Sequence, residues 1–270
     1  MTKHIENEGS LQSNVEFYRY VAPYYGQIYE EVNAAEVVRQ WSALLEDMRC
    51  IPVMETGGDR MMRLIDIGCG PGRYLPEWSK AGFKVAGLDS SEEMLKEATS
   101  YYKRVCQSGE VDTYLVDICN VRDVSADAPF DIAVSHFNFL NLFSPKQVVK
   151  VFTGVKRFLK RGRIWITDFC EAKELLEDFD ETFRLESGGD SARRERRHDQ
   201  EGSYTIRLRG KDIDITERYW LENTSNITSA AKQTGFDLVG CFEWHPNGML
   251  GETPVGDPVR QLLCIFRLTN

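Results

Sequence analysis

The stretch Leu64-Ile-Asp-Ile-Gly-Cys-Gly-Pro-Gly72 decides how the rest of this 270-residue chain is arranged. Its first four residues form a short apolar run with one acid, Asp66, inside it, which is typical of a buried strand. Three glycines follow at alternate positions, and Tyr74-Leu-Pro-Glu-Trp then begins a helical pattern. The stretch therefore predicts a strand, a glycine turn and a helix start, in which a ligand can approach bare backbone.

The glycine spacing separates this turn from two common phosphate-binding turns. A dinucleotide site has the pattern G-x-G-x-x-G, with the pyrophosphate at the helix N-terminus. Here the pattern is G-x-G-x-G, and Arg73 stands where the third glycine would be. No Lys-Ser or Lys-Thr pair follows, so the turn is not a P-loop. The acid inside the strand, Asp66, suits a cationic ligand better than a phosphate.

The stretch from Asp66 to Gly72 resembles the first motif of the class I S-adenosylmethionine-dependent methyltransferases. Its three glycines match the family pattern position for position. In that family the loop runs along the methionine part of the cofactor, and the acid stands near the amino group and the sulfonium. The resemblance implies cofactor contacts from Asp66, Gly68, Cys69, Gly70, Pro71 and Gly72.

Two further strands are predicted, 83–89 and 111–117, and each ends in an acid. Asp89 ends the second strand, where a carboxylate can hold both hydroxyls of a ribose because it has two acceptor oxygens. Asp117 ends the third strand, and the resemblance implies that it meets the adenine amino group together with Ile118. Ser90 and Met94 complete this part of the predicted cofactor site. Ser90 belongs to the Ser-Ser-Glu-Glu stretch that caps the next helix, and Met94 lies in that helix.

The tyrosine-rich segment 15–29 resembles the N-terminal segment of small-molecule methyltransferases, in which a Y-x-x-[IVL]-A-x-x-Y-D pattern lies over the cofactor. Tyr25 matches the tyrosine of the Y-D pair, although Gly26 replaces the aspartate. The resemblance implies that Tyr25 donates a hydrogen bond to the cofactor carboxylate and borders the methyl acceptor, with Tyr18 as a second cofactor contact. Aromatic packing of a helix on the sheet is the alternative.

The fourth predicted strand, 128–135, ends at the carboxyl edge of the sheet, where ligands bind in open α/β folds. In the resembled family the segment after this strand backs the adenosine and faces the methyl acceptor. We therefore expect cofactor contacts from Ser135, His136 and Phe137, and contacts to the methyl acceptor from Asn138 and Asn141.

Two histidines are candidate catalytic residues. His136 follows strand four, and we expect it to position or deprotonate the methyl acceptor, because a histidine titrates near neutral pH. His245 lies in a later loop near the same edge. A surface position without function is the alternative for His245.

The order of elements fits a Rossmann-like, doubly wound α/β sheet of seven strands, for which the resemblance implies the order 3-2-1-4-5-7-6. The last strand is antiparallel, as in the resembled family. Residues 1–55 are expected to form an N-terminal helical lid, and residues 56–170 and 223–270 the cofactor-binding domain. Residues 160–162 are expected to form a turn before strand five.

An insertion at residues 171–222 is expected to form a wall or lid of the methyl-acceptor pocket. It has a helix-like start at 172–179, and the segments 204–209 and 213–220 then alternate with period two, which predicts antiparallel strands. Arg197 belongs to a basic cluster that is a candidate site for an anionic methyl acceptor. The alternative is a solvated strand face paired with nearby acids.

Composition limits the choice of partner and compartment. The net charge is −9 with a pI of about 5.1, which argues against a nucleic-acid substrate. The seven cysteines include no C-x-x-C pair, so we expect reduced thiols in a cytoplasmic protein. The four histidines have no metal-ligand spacing, so we expect no metal. The polar N-terminus and the absence of long apolar runs predict neither a signal peptide nor a membrane segment.

These observations predict an enzyme that transfers a methyl group from S-adenosylmethionine to nitrogen or oxygen of a small molecule by in-line displacement. S-adenosylhomocysteine would be the second product, and a biosynthetic or secondary-metabolic role is expected. Three alternatives stay open: a protein methyltransferase, an RNA methyltransferase, and a cofactor-binding partner subunit without turnover. A homodimer through the insertion or the N-terminal segment is also compatible with the sequence.

Overall fold

A computed structural model describes residues 9–25, 33–51, 61–107, 109–121, 129–172, 179–184, 191–198, 203–209, 214–245, 249–250 and 259–269. The helices in these ranges are α1 (Gly9–Val21), α2 (Ala34–Asp47), α3 (Leu75–Lys80), α4 (Glu92–Cys106), α5 (Pro145–Phe158) and α6 (Thr224–Thr234). The strands are β1 (Arg63–Ile67), β2 (Lys84–Asp89), β3 (Asp112–Leu115), β4 (Phe130–Ser135), β5 (Leu159–Ala172), β6 (Phe179–Arg184), β7 (Ser191–His198), β8 (Ser203–Arg209), β9 (Asp214–Trp220), β10 (Phe236–His245), β11 (Met249–Leu250) and β12 (Val259–Leu268).

The main sheet has the strand order β11-β10-β12-β5-β4-β1-β2-β3. Strands β1 to β5 run parallel to their neighbours in this set, whereas β12 is antiparallel to both β5 and β10. With β10 as the sixth strand and β12 as the seventh, the predicted order and the antiparallel last strand are confirmed. The two-residue strand β11 adds an edge strand that the sequence did not predict.

The central strands are buried on both faces of the sheet, as parallel strands are when helices cover them. Ile65 of β1 packs into the core on one face, with Phe152 of α5. Leu64 packs into the core on the other face, with Trp41 of α2 and Trp78 of α3. This alternation follows from the two-residue period of a strand.

The prediction of a turn at residues 160–162 is wrong, because β5 begins at Leu159, directly after α5. The strand instead contains a bulge, in which the pairing shifts between Phe130 and Ile132 of β4 and Gly162 has a φ of 79°. Lys160 reaches Asp131 of β4 across this bulge, with 2.9 Å between Nζ and Oδ1.

The insertion forms a separate antiparallel sheet in the order β6-β7-β8-β9. Strands β8 and β9 match the two predicted period-two segments. The helix-like start expected at 172–179 is wrong at both ends, since Ala172 ends β5 and Phe179 begins β6. The residues between those two lie outside the described ranges.

Helix α1 joins this smaller sheet to the main domain. The Asn14 amide donates to the carbonyl oxygen of Arg218 at 3.0 Å and accepts from its backbone N–H at 2.8 Å, so it pairs with β9 as a strand residue would. Phe17 of α1 packs with Leu208 of β8 and Met94 of α4. Helix α1 is thereby placed beside the carboxyl edge of the main sheet. None of the helices described here is long and apolar enough to cross a bilayer.

Candidate active site

A cleft opens at the carboxyl edge of β1, β2 and β4, and α1 supplies part of its wall. It contains about 1020 Å³ of empty space, counting the space at its open mouth. Most of the residues predicted to bind the cofactor line this cleft. They are Tyr18, Tyr25, Asp66, Gly68, Cys69, Gly70, Pro71, Asp89, Ser90, Asp117, Ile118, His136 and Phe137.

The glycine turn at the end of β1 is fixed to β2. The backbone N–H groups of Gly68 and Cys69 donate to the carbonyl oxygen of Leu88, at 2.7 and 2.9 Å. A Cβ atom at Gly68 would lie 2.5 Å from the ring of Phe139, whereas one at Gly70 would meet nothing within 4 Å. The first glycine therefore permits close packing, and the second leaves the backbone open to the cleft.

Asp66 is a buried carboxylate in the floor of the cleft, with 1 % of its surface exposed. Neither of its carboxylate oxygens has a hydrogen-bond partner among the described residues. Burial, and secondarily the nearby charge of Asp89, raise the pKa of Asp66 well above its usual range. A buried acid of this kind is stabilised when a cation binds beside it.

Asp89 is held in a defined orientation by the backbone around it. Its Oδ2 accepts from the N–H of Gly70 and its Oδ1 from the N–H of Ser91, each at 2.9 Å. Burial raises the pKa of Asp89, although these hydrogen bonds act in the opposite direction. The carboxylate lone pairs that these backbone groups leave free can accept from a ligand hydroxyl.

Asp117 borders the cleft after β3. Its Oδ1 accepts from the N–H of Cys119 at 2.9 Å, and its Oδ2 accepts from the Asn120 amide at 2.6 Å. These contacts begin a short 3₁₀ helix, Ile118–Asn120, whose first residue is buried against the cleft. Asp117 is therefore a cap whose free lone pairs remain available to a ligand donor.

His136 lies between two aromatic rings at the end of β4. The rings of Trp41 and Tyr74 stack on its two faces, with centroid distances of 4.2 and 3.9 Å. The indole N–H of Trp78 donates to its Nε2 at 3.0 Å, while Nδ1 has no partner among the described residues. Burial lowers the pKa of His136 to about 3. The ring is therefore neutral at pH 7, with its proton on Nδ1.

The next two residues, Phe137 and Asn138, both have left-handed backbones, with φ angles of 69° and 60°. Asp168 of β5 accepts from the N–H of Asn138 at 2.9 Å and from the side-chain amide of Gln261 at 3.1 Å. Burial raises the pKa of Asp168 to about 7. Sequence reasoning missed this group, because its partners come from the turn after β4 and from β12, far apart in the chain.

Three residues predicted to contact the cofactor do not line the cleft. Ser135 points into the core, where its hydroxyl accepts from the indole N–H of Trp165 at 3.0 Å. Gly72 faces α4, and a Cβ atom there would lie 2.8 Å from that of Ala98. Met94 is fully buried in the cluster with α1. All three support the walls of the cleft rather than forming its surface.

The asparagines predicted to bind the methyl acceptor also do not line the cleft. The Asn141 amide donates to the carbonyl oxygens of Cys170 and Trp220, at 2.9 and 2.7 Å. Its oxygen accepts from the N–H of Cys170 at 2.8 Å, so it ties β5 to the end of β9. The Asn138 oxygen accepts from Gln261 at 3.0 Å.

The two remaining predicted residues lie away from the described cleft lining. Arg197 is on β7, with its guanidinium 3.8 Å from carboxylates of Asp180 and Glu195. This is the solvated, paired strand face that was the alternative for the basic cluster. His245 ends β10, and its side chain lies outside the described part of the structure.

Several residues that line the cleft were not predicted from the sequence. Phe139, Leu142 and Phe143 belong to the segment after strand four that was expected at the sheet edge, so their apolar character there was the available signal. The other lining residues that were missed are Asn14, Val15, Arg73, Tyr74, Leu88 and Val116. Within the described ranges, no three His, Cys, Asp or Glu side chains are grouped as metal ligands.

Residues 64–162 match the sequence profile of a methyltransferase domain. A putative methyltransferase of Bacillus subtilis, YqeM, is 28% identical over 162 residues, which are 59% of this chain and 60% of that protein. The mRNA cap guanine-N(7) methyltransferase of Schizosaccharomyces pombe is 24% identical over 168 residues, 60% of this chain and 46% of that protein. The chain therefore spans less than two thirds of the length of either relative.

Solved structures with this architecture cover nearly the whole chain. An S-adenosylmethionine-dependent methyltransferase from Clostridium acetobutylicum covers 94% of this chain and 99% of its own, with a TM-score of 0.73 and 14% identity. The sugar N-methyltransferase KedS8 from a Streptoalloteichus species covers 100% of this chain and 97% of its own, with a TM-score of 0.66 and 13% identity. At these identities the likeness shows a shared fold.

Proposed function

We propose that this chain is a class I S-adenosylmethionine-dependent methyltransferase, whose cleft binds this cofactor and methylates a small molecule. The match of residues 64–162 to a methyltransferase domain and the shared fold support the proposal. The observation that carries the proposal is Asp66. It is buried in the cleft floor beside the glycine turn, and both of its oxygens lack a partner among the described residues. A bound ammonium or sulfonium group would provide the missing charge and hydrogen bonds.

The residues of the cleft fit the rest of the cofactor in chain order. Asp89, oriented by Gly70 and Ser91, would accept from the two ribose hydroxyls. Asp117 and Ile118 would border the adenine, as their places after β3 allow. Tyr18 and Tyr25 would close the cleft from the N-terminal side, where both rings line it.

The bound cofactor supplies a methyl group already activated by its positive sulfur. The protein must then align the acceptor lone pair with that methyl group and exclude water, and such alignment can contribute ~7–11 kcal/mol to lowering the barrier. His136 is poorly suited to remove a proton, because its pKa is about 3 and Trp78 occupies its Nε2. Its Nδ1–H can instead orient the methyl acceptor as a hydrogen-bond donor.

An amine is the methyl acceptor that a cleft with His136 as a hydrogen-bond donor and not as a base favours. A neutral amine attacks through its own lone pair and loses its proton afterwards, so it needs no strong base. The fold likeness to a sugar N-methyltransferase supports the same choice. Oxygen methylation is the second candidate, because Tyr25 and Asp66 also line the cleft and have oxygen atoms that can interact with a hydroxyl.

The test is a methyl-transfer assay with labelled S-adenosylmethionine and a panel of acceptors: amino sugars, other amines, phenols, capped RNA and mixed protein. The cap methyltransferase relative is the reason for including RNA. We expect label in a small amine and not in RNA or protein. Transfer to RNA or protein alone would reject the small-molecule proposal. Cofactor binding without transfer to any acceptor would favour the partner-subunit alternative.

A further inference from the structure

The wall of the cleft at the end of β4 is a turn of two left-handed residues, Phe137 and Asn138. Asparagine adopts this conformation with some ease, whereas a bulky residue such as phenylalanine rarely does. Phe137 lines the cleft, next to His136. A conformation of this kind persists only where the surrounding structure holds it, and such conformations occur preferentially at functional sites.

The group that holds this turn is the carboxylate of Asp168. It accepts backbone hydrogen bonds from both residues of the turn, and the one from Asn138 measures 2.9 Å. Gln261 of β12 closes the network, because its amide donates to Asp168 at 3.1 Å and to the Asn138 side chain at 3.0 Å. The thiol of Cys170 also donates to that asparagine oxygen, at 3.2 Å.

Asp168 has no direct access to a ligand in the described cleft. It has 0 % of its surface exposed and does not line the cleft. A fully buried carboxylate is costly unless it is hydrogen-bonded, and here the compensating donors are the two N–H groups of the turn and one amide. The network therefore connects the turn after β4 to the strands β5 and β12 at one point of the cleft wall.

We propose that Asp168 is a positioning residue: it fixes the left-handed turn Phe137–Asn138, and through it the wall against which the cofactor and the methyl acceptor are held. The predicted effect on ligand binding rests on the proposed function. Its structural part, the hold on the turn, does not depend on any ligand. In Asp168→Asn one of the two acceptor oxygens becomes an amide donor, which faces the N–H donor of Gln261 in the arrangement seen here.

The experiment is a double-mutant cycle on the binding of S-adenosylhomocysteine, measured by calorimetry. We expect Asp168→Asn to weaken binding about tenfold or more. In a Phe137→Gly background, where glycine adopts the left-handed turn freely, the same change should weaken binding less than about threefold. An equal loss in both backgrounds, or no loss in the first, would overturn the proposal. Gln261→Ala, which removes one donor only, should show the same dependence on Phe137 with a smaller loss.

Asp131→Asn is the matched control, because Asp131 is a buried, hydrogen-bonded acid at the opposite end of β4. Hydrogen exchange of the ligand-free protein provides the second readout. The backbone amides of residues 136–140 should exchange faster in Asp168→Asn than in the wild type. Their exchange rates in Asp131→Asn should equal those of the wild type. Unchanged exchange in Asp168→Asn would reject the hold on the turn. If the wild type binds no S-adenosylhomocysteine, the proposed function fails, whatever the exchange result.

Discussion

At the scale of the residue, the protein contains buried acids whose charge the fold does not neutralise. Asp66 and Glu222 are both almost fully buried, and neither has a hydrogen-bond partner among the described residues. The first lines the cleft, while the second follows β9 at the junction of the two sheets. Because an unpaired buried carboxylate favours the protonated form, both predict a measurable dependence on pH.

For Asp66, we expect S-adenosylmethionine binding to release protons. Burial raises the pKa of Asp66 in the free protein, and a bound cation would lower it again, so the affinity should rise as the pH rises. Calorimetry in two buffers with different ionisation enthalpies measures the release. Asp66→Asn should remove most of it and weaken binding by about tenfold or more, whereas Asp131→Asn should change neither. Heats that do not depend on the buffer would contradict this role.

For Glu222, we expect the free energy of unfolding to fall as the pH rises from about 5 to 8. Burial raises the pKa of Glu222 to about 8, so the folded state holds a proton that the unfolded chain has released above about pH 4.3. Its contribution is complete below that pH and is lost as the pH passes through 8.

Glu222→Gln should flatten this fall by more than about 1 kcal/mol, since one pKa unit corresponds to about 1.4 kcal/mol. Part of the fall should remain in Glu222→Gln, because the pKa of Asp168 is also raised, to about 7, and its effect on the unfolding free energy has the same sign. Denaturant titrations at several pH values measure the effect, with Glu97→Gln on the exposed face of α4 as the control. An unchanged slope in Glu222→Gln would show that this carboxyl does not titrate in the range.

At the scale of the element, the strand–turn–helix unit at residues 63–80 carries the cofactor site, and two of its three glycines have separable roles. Gly68 has a φ of 74° and faces Phe139, while Gly70 has a φ of 54° and faces open space. Gly68→Ala should therefore reduce the thermal stability more than Gly70→Ala, because it adds a clash to a backbone strain of about 1–2 kcal/mol. Gly70→Ala should mainly weaken cofactor binding. Equal losses of stability in both variants would contradict this separation.

The strand–turn–helix unit and the two strands after it were predictable, because short apolar runs, acids at strand ends and glycine spacing are local signals. Gly68, Gly70, Asp89 and Asp117 line the cleft, as the resemblance carried by these signals implied. The bulge in β5 was not predictable, because it is defined by the pairing of β5 with β4, a strand distant in the sequence. The environment of His136 was hidden for the same reason, since Trp41, Tyr74 and Trp78 reach it from two helices and a loop.

At the scale of the whole molecule, the chain is a cofactor-binding sheet with a second sheet and α1 placed over one edge. Asn14 connects α1 to β9, and Asn141 connects the segment after β4 to the same strand. The predicted division at residues 171–222 stays a proposal for how the methyl-acceptor pocket is built. These contacts couple the cofactor cleft to the smaller sheet, because both connections lie beside residues of the cleft wall.

The measurement that tests the central claim most directly is the calorimetric binding of S-adenosylmethionine to the wild type, Asp89→Ala and Asp131→Asn. Asp89 orients the turn through Gly70 and offers two oxygens to a ribose. We expect micromolar binding to the wild type and to Asp131→Asn, and binding weakened by about 100-fold in Asp89→Ala, as the loss of two charged hydrogen bonds predicts. No binding to the wild type, or equal affinity in Asp89→Ala, would contradict the account.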